Sequence, residues 1–182
     1  MLYKDFDLII KGPRITIEPL QESDNDAYCH LLFGELYEIY KRNFPDERIN
    51  AALRGAIDGT SNDETHAIRI DGRFIGWYTL QKDSEGRPDL GISLIPEERG
   101  KGFAEEATKI FTDQLYRKYG LQRVYARAYA SNTHSQHVLV KMGGVLDSVG
   151  PDERIMSLRQ EIGKEGEAPL VHYYYLDLPL PG

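Results

Sequence analysis

The feature that most restricts this chain is the stretch LGISLIPEERGKGFAEEA, residues 90–107, in which an apolar run passes through Arg99-Gly100-Lys101-Gly102-Phe103-Ala104 straight into a helical pattern. Ala104, Ala107, Thr108, Phe111 and Leu115 share one helical face, and Gly120 supplies a stop. The first turn of such a helix offers free backbone N–H groups and the positive end of the helix dipole, and small residues before it let a pyrophosphate approach those donors. Arg99 and Lys101 add positive charge there, in a chain whose formal net charge is -7. The same glycines would also make a plain strand-to-helix turn, and the pattern by itself leaves both uses open.

Two other phosphate-binding patterns are absent. There is no G-x-x-x-x-G-K-[ST], and the loop lacks the third glycine and the early β-α-β setting of a dinucleotide fold. Instead it follows a strand meander: residues 66–70 and 73–80 alternate as strands around Asp71-Gly72, a dipeptide suited to a two-residue hairpin, and a third run covers 89–95. Upstream, 14–20 (RITIEPL) reads as a first strand. Ser23 and Asp26 open a helix whose stripe is Ala27, Tyr28, Leu31 and Leu32, and Ile49, Ala52, Leu53 and Ala56 mark a second helix ending near Gly59. Downstream, 124–129 reads as a strand, 133–142 as a short helix closed by Gly143, and 145–149 and 171–178 as the last strands. The polar segment 151–168 between them reads as a loop with a turn of helix near Met156.

With 182 residues, no internal repeat and no Pro/Gly/Ser linker, the chain reads as one domain over 1–182, large enough to bury roughly 70% of its unfolded surface without a disulfide or structural metal. Cys29 is the single cysteine and cannot form an internal bridge. The N-terminus has no leader pattern and no apolar run approaches roughly 18 residues, so the expectation is a cytoplasmic protein that spans no membrane. The acidic balance argues against nucleic acid as a partner and suits a cationic acceptor. His134 and His137 have no third ligand at metal spacing, so no metal is expected.

On these residues the chain resembles the GNAT superfamily of N-acetyltransferases, whose coenzyme A loop follows [Q/R]-x-x-G-x-[G/A]; Arg99, Gly102 and Ala104 fill that pattern. The likeness runs from RITIEPL to the final strand and is closest to the ribosomal-protein N-terminal acetyltransferases of the RimJ/RimL type. That branch has a similar RGKG-aromatic-A-x-E-A stretch and a downstream Asn-x-x-Ser, here Asn132-Thr133-His134-Ser135. The resemblance implies a mixed α/β fold, with a central, mostly antiparallel sheet of about seven strands, splayed in the middle, and about four helices. It implies acetyl-CoA as co-substrate and an amine acceptor, either a protein N-terminus or a small molecule such as a polyamine or aminoglycoside, and it allows a homodimer.

The resemblance also assigns roles. The backbone of Ser93, Leu94 and Ile95 would hold the pantetheine arm like an added strand, the loop of Arg99, Gly100, Lys101, Gly102, Phe103 and Ala104 would take the pyrophosphate, Asn132 would bond the arm, and Ser135 would lie near the thioester sulfur. On local grounds Asn132 is equally an ordinary helix N-cap. Many members place a tyrosine seven residues after the asparagine to protonate the departing thiolate; here that position is Leu139, so Ser135 becomes the substitute acid. The usual Gly-Phe after this helix is Gly143-Gly144.

For the base the expectation is Glu153, in the loop after 145–149, where the nearest branch places a catalytic glutamate. Asp89, Glu98 and His172 stay open as alternatives, and Tyr173, Tyr174 and Tyr175 either line an acceptor pocket or pack the last strand. Two other functional readings remain. One is a non-catalytic coenzyme A-binding regulatory module of the same fold. The other is a nucleotide-phosphate enzyme, which a wedge between strands 89–95 and 124–129 would reject.

Overall fold

The structure, a computed structural model, describes residues 9–34, 37, 38, 42, 64–83, 85–152, 156, 159, 160 and 166–181, and among these it holds eight strands and three α-helices. Pro13 and Arg14 form the tip of a tight hairpin, closed by the Gly12 N–H donating to the Ile15 carbonyl at 2.8 Å, that joins Ile10–Lys11 (β1) to Thr16–Pro19 (β2). A turn at Glu22–Asp24 leads into Asn25–Phe33 (α1). The start signal differs from the Ser23/Asp26 pair. Gln21 caps the turn, its N–H donating to Asp24 Oδ2 at 2.8 Å, and Asp24 is buried because Arg69 donates to both its oxygens, at 3.0 and 2.7 Å.

Glu64–Ile70 (β3) and Arg73–Lys82 (β4) are joined by Asp71 and Gly72 in the left-handed region, at φ 49 and 78, as that dipeptide requires. Pro88–Leu94 (β5) completes the meander, and Phe103–Tyr119 (α2) follows, ending on Gly120 at φ 67. The chain then forms Arg123–Tyr129 (β6), Thr133–Lys141 (α3), Val145–Pro151 (β7) and Leu170–Asp177 (β8). All strands belong to one sheet in the order β1-β2-β3-β4-β5-β6-β8-β7, antiparallel throughout except for β5 against β6. The count exceeds the expected seven because of β1, two residues too short to show any alternation. The helix expected around 49–56 lies outside the described residues, as do Ser84 and most of 151–168. Met156 is helical, its N–H donating to the Asp152 carbonyl at 3.1 Å.

Alternation along the central strands feeds a cluster on each face. Ile68, Tyr78, Leu80, Leu90 and Leu94 meet Ala107, Phe111 and Leu115 of α2 on one face, with the Phe111 ring 4.3 Å from that of Tyr78. Ala67 and Trp77 meet Tyr28 and Cys29 of α1 on the other. Phe111 and Leu115 are both fully shielded, a burial that contributes roughly 1.5–3 kcal/mol for each side chain. The buried side of α1 is rotated from the expected stripe toward Cys29, and Leu32 is left 39% exposed. Next to Gly143-Gly144, Met142 supplies the apolar anchor at 2% exposure, while a Cβ on Gly144 would lie 2.7 Å from the Leu139 carbonyl oxygen. No helix among the described residues is long and apolar enough to cross a membrane.

Candidate functional site

Strands β5 and β6 pair at only two positions, Asp89↔Tyr125 and Leu90↔Ala126, although β5 runs on to Leu94 and β6 to Tyr129. Beyond Leu90 the two strands part and a wedge opens in the middle of the sheet, which rejects the nucleotide-phosphate reading. Register fixes what lines it. The Ile95 N–H donates to the Ile75 carbonyl at 2.9 Å, and bonded and non-bonded pairs alternate along an antiparallel ladder. The N–H and C=O groups of Ile92 and Leu94 therefore turn away from β4 and into the wedge. Of the expected trio only Leu94 turns its backbone there, as does Ile92, while Ser93 and Ile95 face β4. Counting period-two alternation back from the loop would have found Ile92 in the sequence.

The strand ends in a turn at Pro96–Glu98 and the glycine loop. Gly100 and Gly102 adopt φ 74 and 82, a region that side chains avoid. A Cβ on Gly100 would meet nothing within 4 Å, so packing does not demand a glycine there. Gly102 is the N-cap of α2, and the first helical bond is the Glu106 N–H to the Gly102 carbonyl at 3.0 Å. Having no side chain, Gly102 leaves the N–H groups of Phe103, Ala104 and Glu105 uncapped from its own position.

The loop's cations are turned back into its frame. Arg99 Nε donates to the Leu94 carbonyl at 2.9 Å, and Lys101 Nζ donates to Glu98 Oε2 at 2.9 Å. The other oxygen of Glu98 accepts from Arg73 at 2.8 Å. The Arg73 bond first, and then that from Lys101, hold the Glu98 carboxyl below its ordinary value of 4.5. A carboxylate so held anchors the loop and is a poor proton acceptor. Arg14, which no sequence pattern singled out, also reaches this loop, donating to the Lys101 carbonyl at 3.0 Å.

Across the wedge, Asn132 is the N-cap of α3, its Oδ1 accepting from the Ser135 N–H at 3.0 Å, which commits that oxygen to the helix and leaves Nδ2 for other partners. Ser135 is half-buried in the first helical turn, three residues beyond the Asn132 N–H bond to the Tyr129 carbonyl that closes the end of β6. Glu153 lies outside the described residues. The chain leaves β7 at Asp152, which is buried, and the alignment of Gly150, Val171 and Tyr129 across β7, β8 and β6 puts that exit level with the end of β6. Burial first, and then nearby Asp152, push the Tyr129 hydroxyl up to about 12.

At the vertex of the wedge sits Asp89, 4% exposed, on the sheet face opposite α2. Its Oδ2 accepts from Gln81 Nε2 at 2.7 Å and lies 3.2 Å from Arg127 Nη2. Burial raises the Asp89 carboxyl above its ordinary 3.8 even though the Arg127 charge pulls the other way. Of the remaining candidates, His172 is set within β8 opposite Ala128 and Val149. Tyr174 is buried, Tyr175 lies under the Arg123 guanidinium at 4.0 Å, and the Tyr173 hydroxyl donates to the Pro151 carbonyl at 3.4 Å. Among the described residues no three His, Cys, Asp or Glu side chains gather where they would hold a metal ion.

Residues 14–145 match the acetyltransferase (GNAT) domain family. No curated protein matches the sequence. Solved structures do. A GNAT-family acetyltransferase from Bacillus anthracis is 19% identical, with 93% of this chain and 98% of that one covered and a TM-score of 0.68. Spermidine N-acetyltransferase from Vibrio cholerae, in complex with CoA and spermine, is 17% identical over 90% and 95% at 0.66. RimL, a ribosomal L7/L12 alpha-N-protein acetyltransferase in complex with coenzyme A, is 13% identical over 93% and 98% at 0.69. The wedge, the uncapped helix behind a glycine loop and a family match over residues 14–145 agree, and the chain belongs to the GNAT acetyltransferase family.

Proposed function

We propose that residues 1–182 form one acetyl-CoA-dependent N-acetyltransferase domain that transfers an acetyl group to a primary amine, on a protein N-terminus or a small molecule, by direct attack on the thioester. The observation that carries this reading is the early end of the β5–β6 ladder at Leu90↔Ala126, which leaves the N–H and C=O of Ile92 and the N–H of Leu94 facing the wedge that leads to the α2 N-terminus. A pantetheine arm carries amides that pair with such an edge, and its pyrophosphate would meet the N–H groups of the 99–104 loop. Spermidine N-acetyltransferase and RimL, which share the fold, were solved with coenzyme A bound.

In the reaction the neutral amine nitrogen attacks the thioester carbonyl carbon, the N–C bond forms as the C–S bond breaks, and coenzyme A leaves as a thiolate. The amine loses a proton to a carboxylate and the thiolate takes one up. Placement supplies much of the acceleration, because a thiolate of pKa near 8.5, about that of cysteine, leaves without a strong acid. Ser135 on α3 is assigned as the donor to the thiolate and Asn132 Nδ2 as a bond to the arm. Glu153 is assigned as the base, and Asp89 is its rival: both of its side-chain contacts fall on Oδ2, so Oδ1 is left to accept a proton at the vertex.

The domain is assigned to the cytoplasm, in keeping with its lone, buried Cys29. A homodimer is part of the same reading, supported by Val145, Leu146 and Val149, about half exposed along β7, the terminal strand of the sheet. Calorimetry with acetyl-CoA, followed by thiol release against peptides, polyamines and aminoglycosides, tests the activity. Binding with release on one acceptor class establishes it. Binding without release on any acceptor favours a non-catalytic coenzyme A module, and no binding refutes the reading. With an acceptor found, the pH profile of kcat/KM separates the bases: Glu153→Gln or Asp89→Asn, whichever loses the acid limb, has lost the proton acceptor.

A further inference from the structure

The tip of the β1–β2 hairpin is built into the glycine loop, about ninety residues away in sequence. The Arg14 backbone N–H donates to Glu106 Oε1 at 2.8 Å and its Nε to Glu106 Oε2 at 2.7 Å, while Nη1 donates to the Lys101 carbonyl at 3.0 Å. The guanidinium lies 4.6 Å from the centre of the Phe103 ring, and its remaining nitrogen is 3.4 Å from where a Cβ on Gly102 would stand. Gly12 makes this approach possible: a Cβ there would come 3.0 Å from Glu106 Oε1 and 3.1 Å from the Ile110 side chain. The contact is thus fixed from both sides, by a hairpin turn closed on Ile15 and by the first turn of α2.

Both acceptors Arg14 engages are electron-rich groups at the helix start. A carboxylate in the first turn of α2 and a carbonyl turned into the loop would each repel an incoming phosphate, cancelling part of what the helix N-terminus offers. We propose that Arg14 is a positioning residue of the coenzyme site, drawing the Lys101 carbonyl and the Glu106 carboxylate aside so that the pyrophosphate meets N–H groups and cationic charge. This rests on the coenzyme reading given above. Arg14 acts on the phosphate end of the ligand alone, since its contacts are confined to residues 101–106 and none reaches Ile92, Leu94 or the α3 side of the wedge.

The test is calorimetric titration of wild type, Arg14→Met and the double variant Arg14→Met/Glu106→Gln with coenzyme A, 3′-dephospho-coenzyme A and pantetheine, the last by competition. Arg14→Met keeps an unbranched apolar side chain of similar length and removes every side-chain donor together with the guanidinium over Phe103. The expected result is a roughly ten- to hundredfold loss of affinity for both coenzyme A and its 3′-dephospho form, the range for charge-assisted bonds, with pantetheine unchanged. The double variant should recover part of the loss, because the uncompensated carboxylate is gone. Equal losses for all three ligands mean general damage and overturn the proposal, as does an unchanged affinity for coenzyme A. A loss confined to coenzyme A overturns it too, since Arg14 would then serve the 3′-phosphate and not the pyrophosphate. If Arg14→Met does not fold, Arg14→Lys, which keeps charge and stem but not the bidentate reach, should show an intermediate loss, and wild-type affinity in that variant refutes the role. Wild type failing to bind coenzyme A is a separate outcome that removes the underlying site itself.

Discussion

Replacing Gly102 by alanine separates what the loop costs the fold from what it gives the ligand, because the structure supplies a matched control. Gly102 and Gly72 sit at φ 82 and 78, so alanine in either left-handed position should cost about the same, roughly 1–2 kcal/mol. For a chain of this size that is a melting-point loss of about 2–8 °C. Local crowding adds little to either: a Cβ at 72 meets nothing within 4 Å, and one at 102 meets only an Arg14 nitrogen at 3.4 Å, an ordinary contact. Strain of this kind is present in the free and the bound protein and cancels from the binding free energy. A Cβ at 102 would nevertheless stand on the anion's approach to the first N–H groups of α2, where losing one charge-assisted bond costs about 1.5–3 kcal/mol, or roughly ten- to over a hundredfold in affinity. Thermal melts and coenzyme A titrations of Gly102→Ala and Gly72→Ala should therefore show similar melting points and affinities at least tenfold apart. Equal affinities with both proteins folded would refute the loop as the phosphate site.

Three further outcomes follow from the same geometry. Arg69, 3% exposed and bonded to Asp24 and Glu18, should on replacement by methionine leave a buried carboxylate uncompensated and lower urea stability by about 3–5 kcal/mol; adding Asp24→Asn should return at least half of that, and no recovery would mean that packing and not charge was lost. Because its partners hold the Glu98 carboxyl below 4.5, the stabilisation from its ion pairs is complete above that pH and lost as pH falls through the lowered folded value, so the melting-point gap between wild type and Glu98→Gln should be widest at neutral pH and close toward pH 3; a gap independent of pH would refute the assignment. Amide exchange should alternate along β5, with Ile92 and Leu94 fast in the free protein and slowed by coenzyme A, and Ser93 and Ile95 slow in both states. A uniform response along the strand would remove the wedge-facing register.

Local chemistry made much of this readable in advance. Asp71-Gly72 and Gly120 need positive φ and fall where they were placed, and the stretch 90–107 gave the strand, loop and helix that form one wall of the site. What stayed hidden depends on partners distant in the chain. Arg14 and Glu106 lie 92 residues apart and nothing local to either names the other. The rotation of α1 toward Cys29 follows from Asp24 being drawn into the sheet by Arg69, a contact across 45 residues that propensity cannot anticipate. Asn132 shows the opposite case: the local reading as a helix N-cap is what the structure has, and since the cap uses only the amide oxygen, the nitrogen is left for the proposed bond to the pantetheine arm.

The wedge is held open by contacts on each side that do not involve the other. Its β5 wall is fixed by a continuous seven-pair ladder to β4 and by the Ile95 bond to Ile75 beyond it, and its β6 wall by seven pairs to β8. Between these walls only the two pairs at Asp89 and Leu90 remain, with the Arg127 side chain reaching back across the vertex to Asp89. The helix that links the walls is tied at its start to two other elements, through Glu106 to Arg14 on the hairpin and through Glu105 to Lys141 at the end of α3, at 2.8 Å. Closing the wedge would mean shifting β5 or β6 against a full ladder, at the expense of several backbone bonds for the two peptide units gained. The split is thus held by the chain's own ladders, and a ligand proposed to fill it need not open the sheet. On the proposed reading its amides would pair with Ile92 and with the Leu94 N–H, and the free energy otherwise spent on rearrangement would remain available for binding.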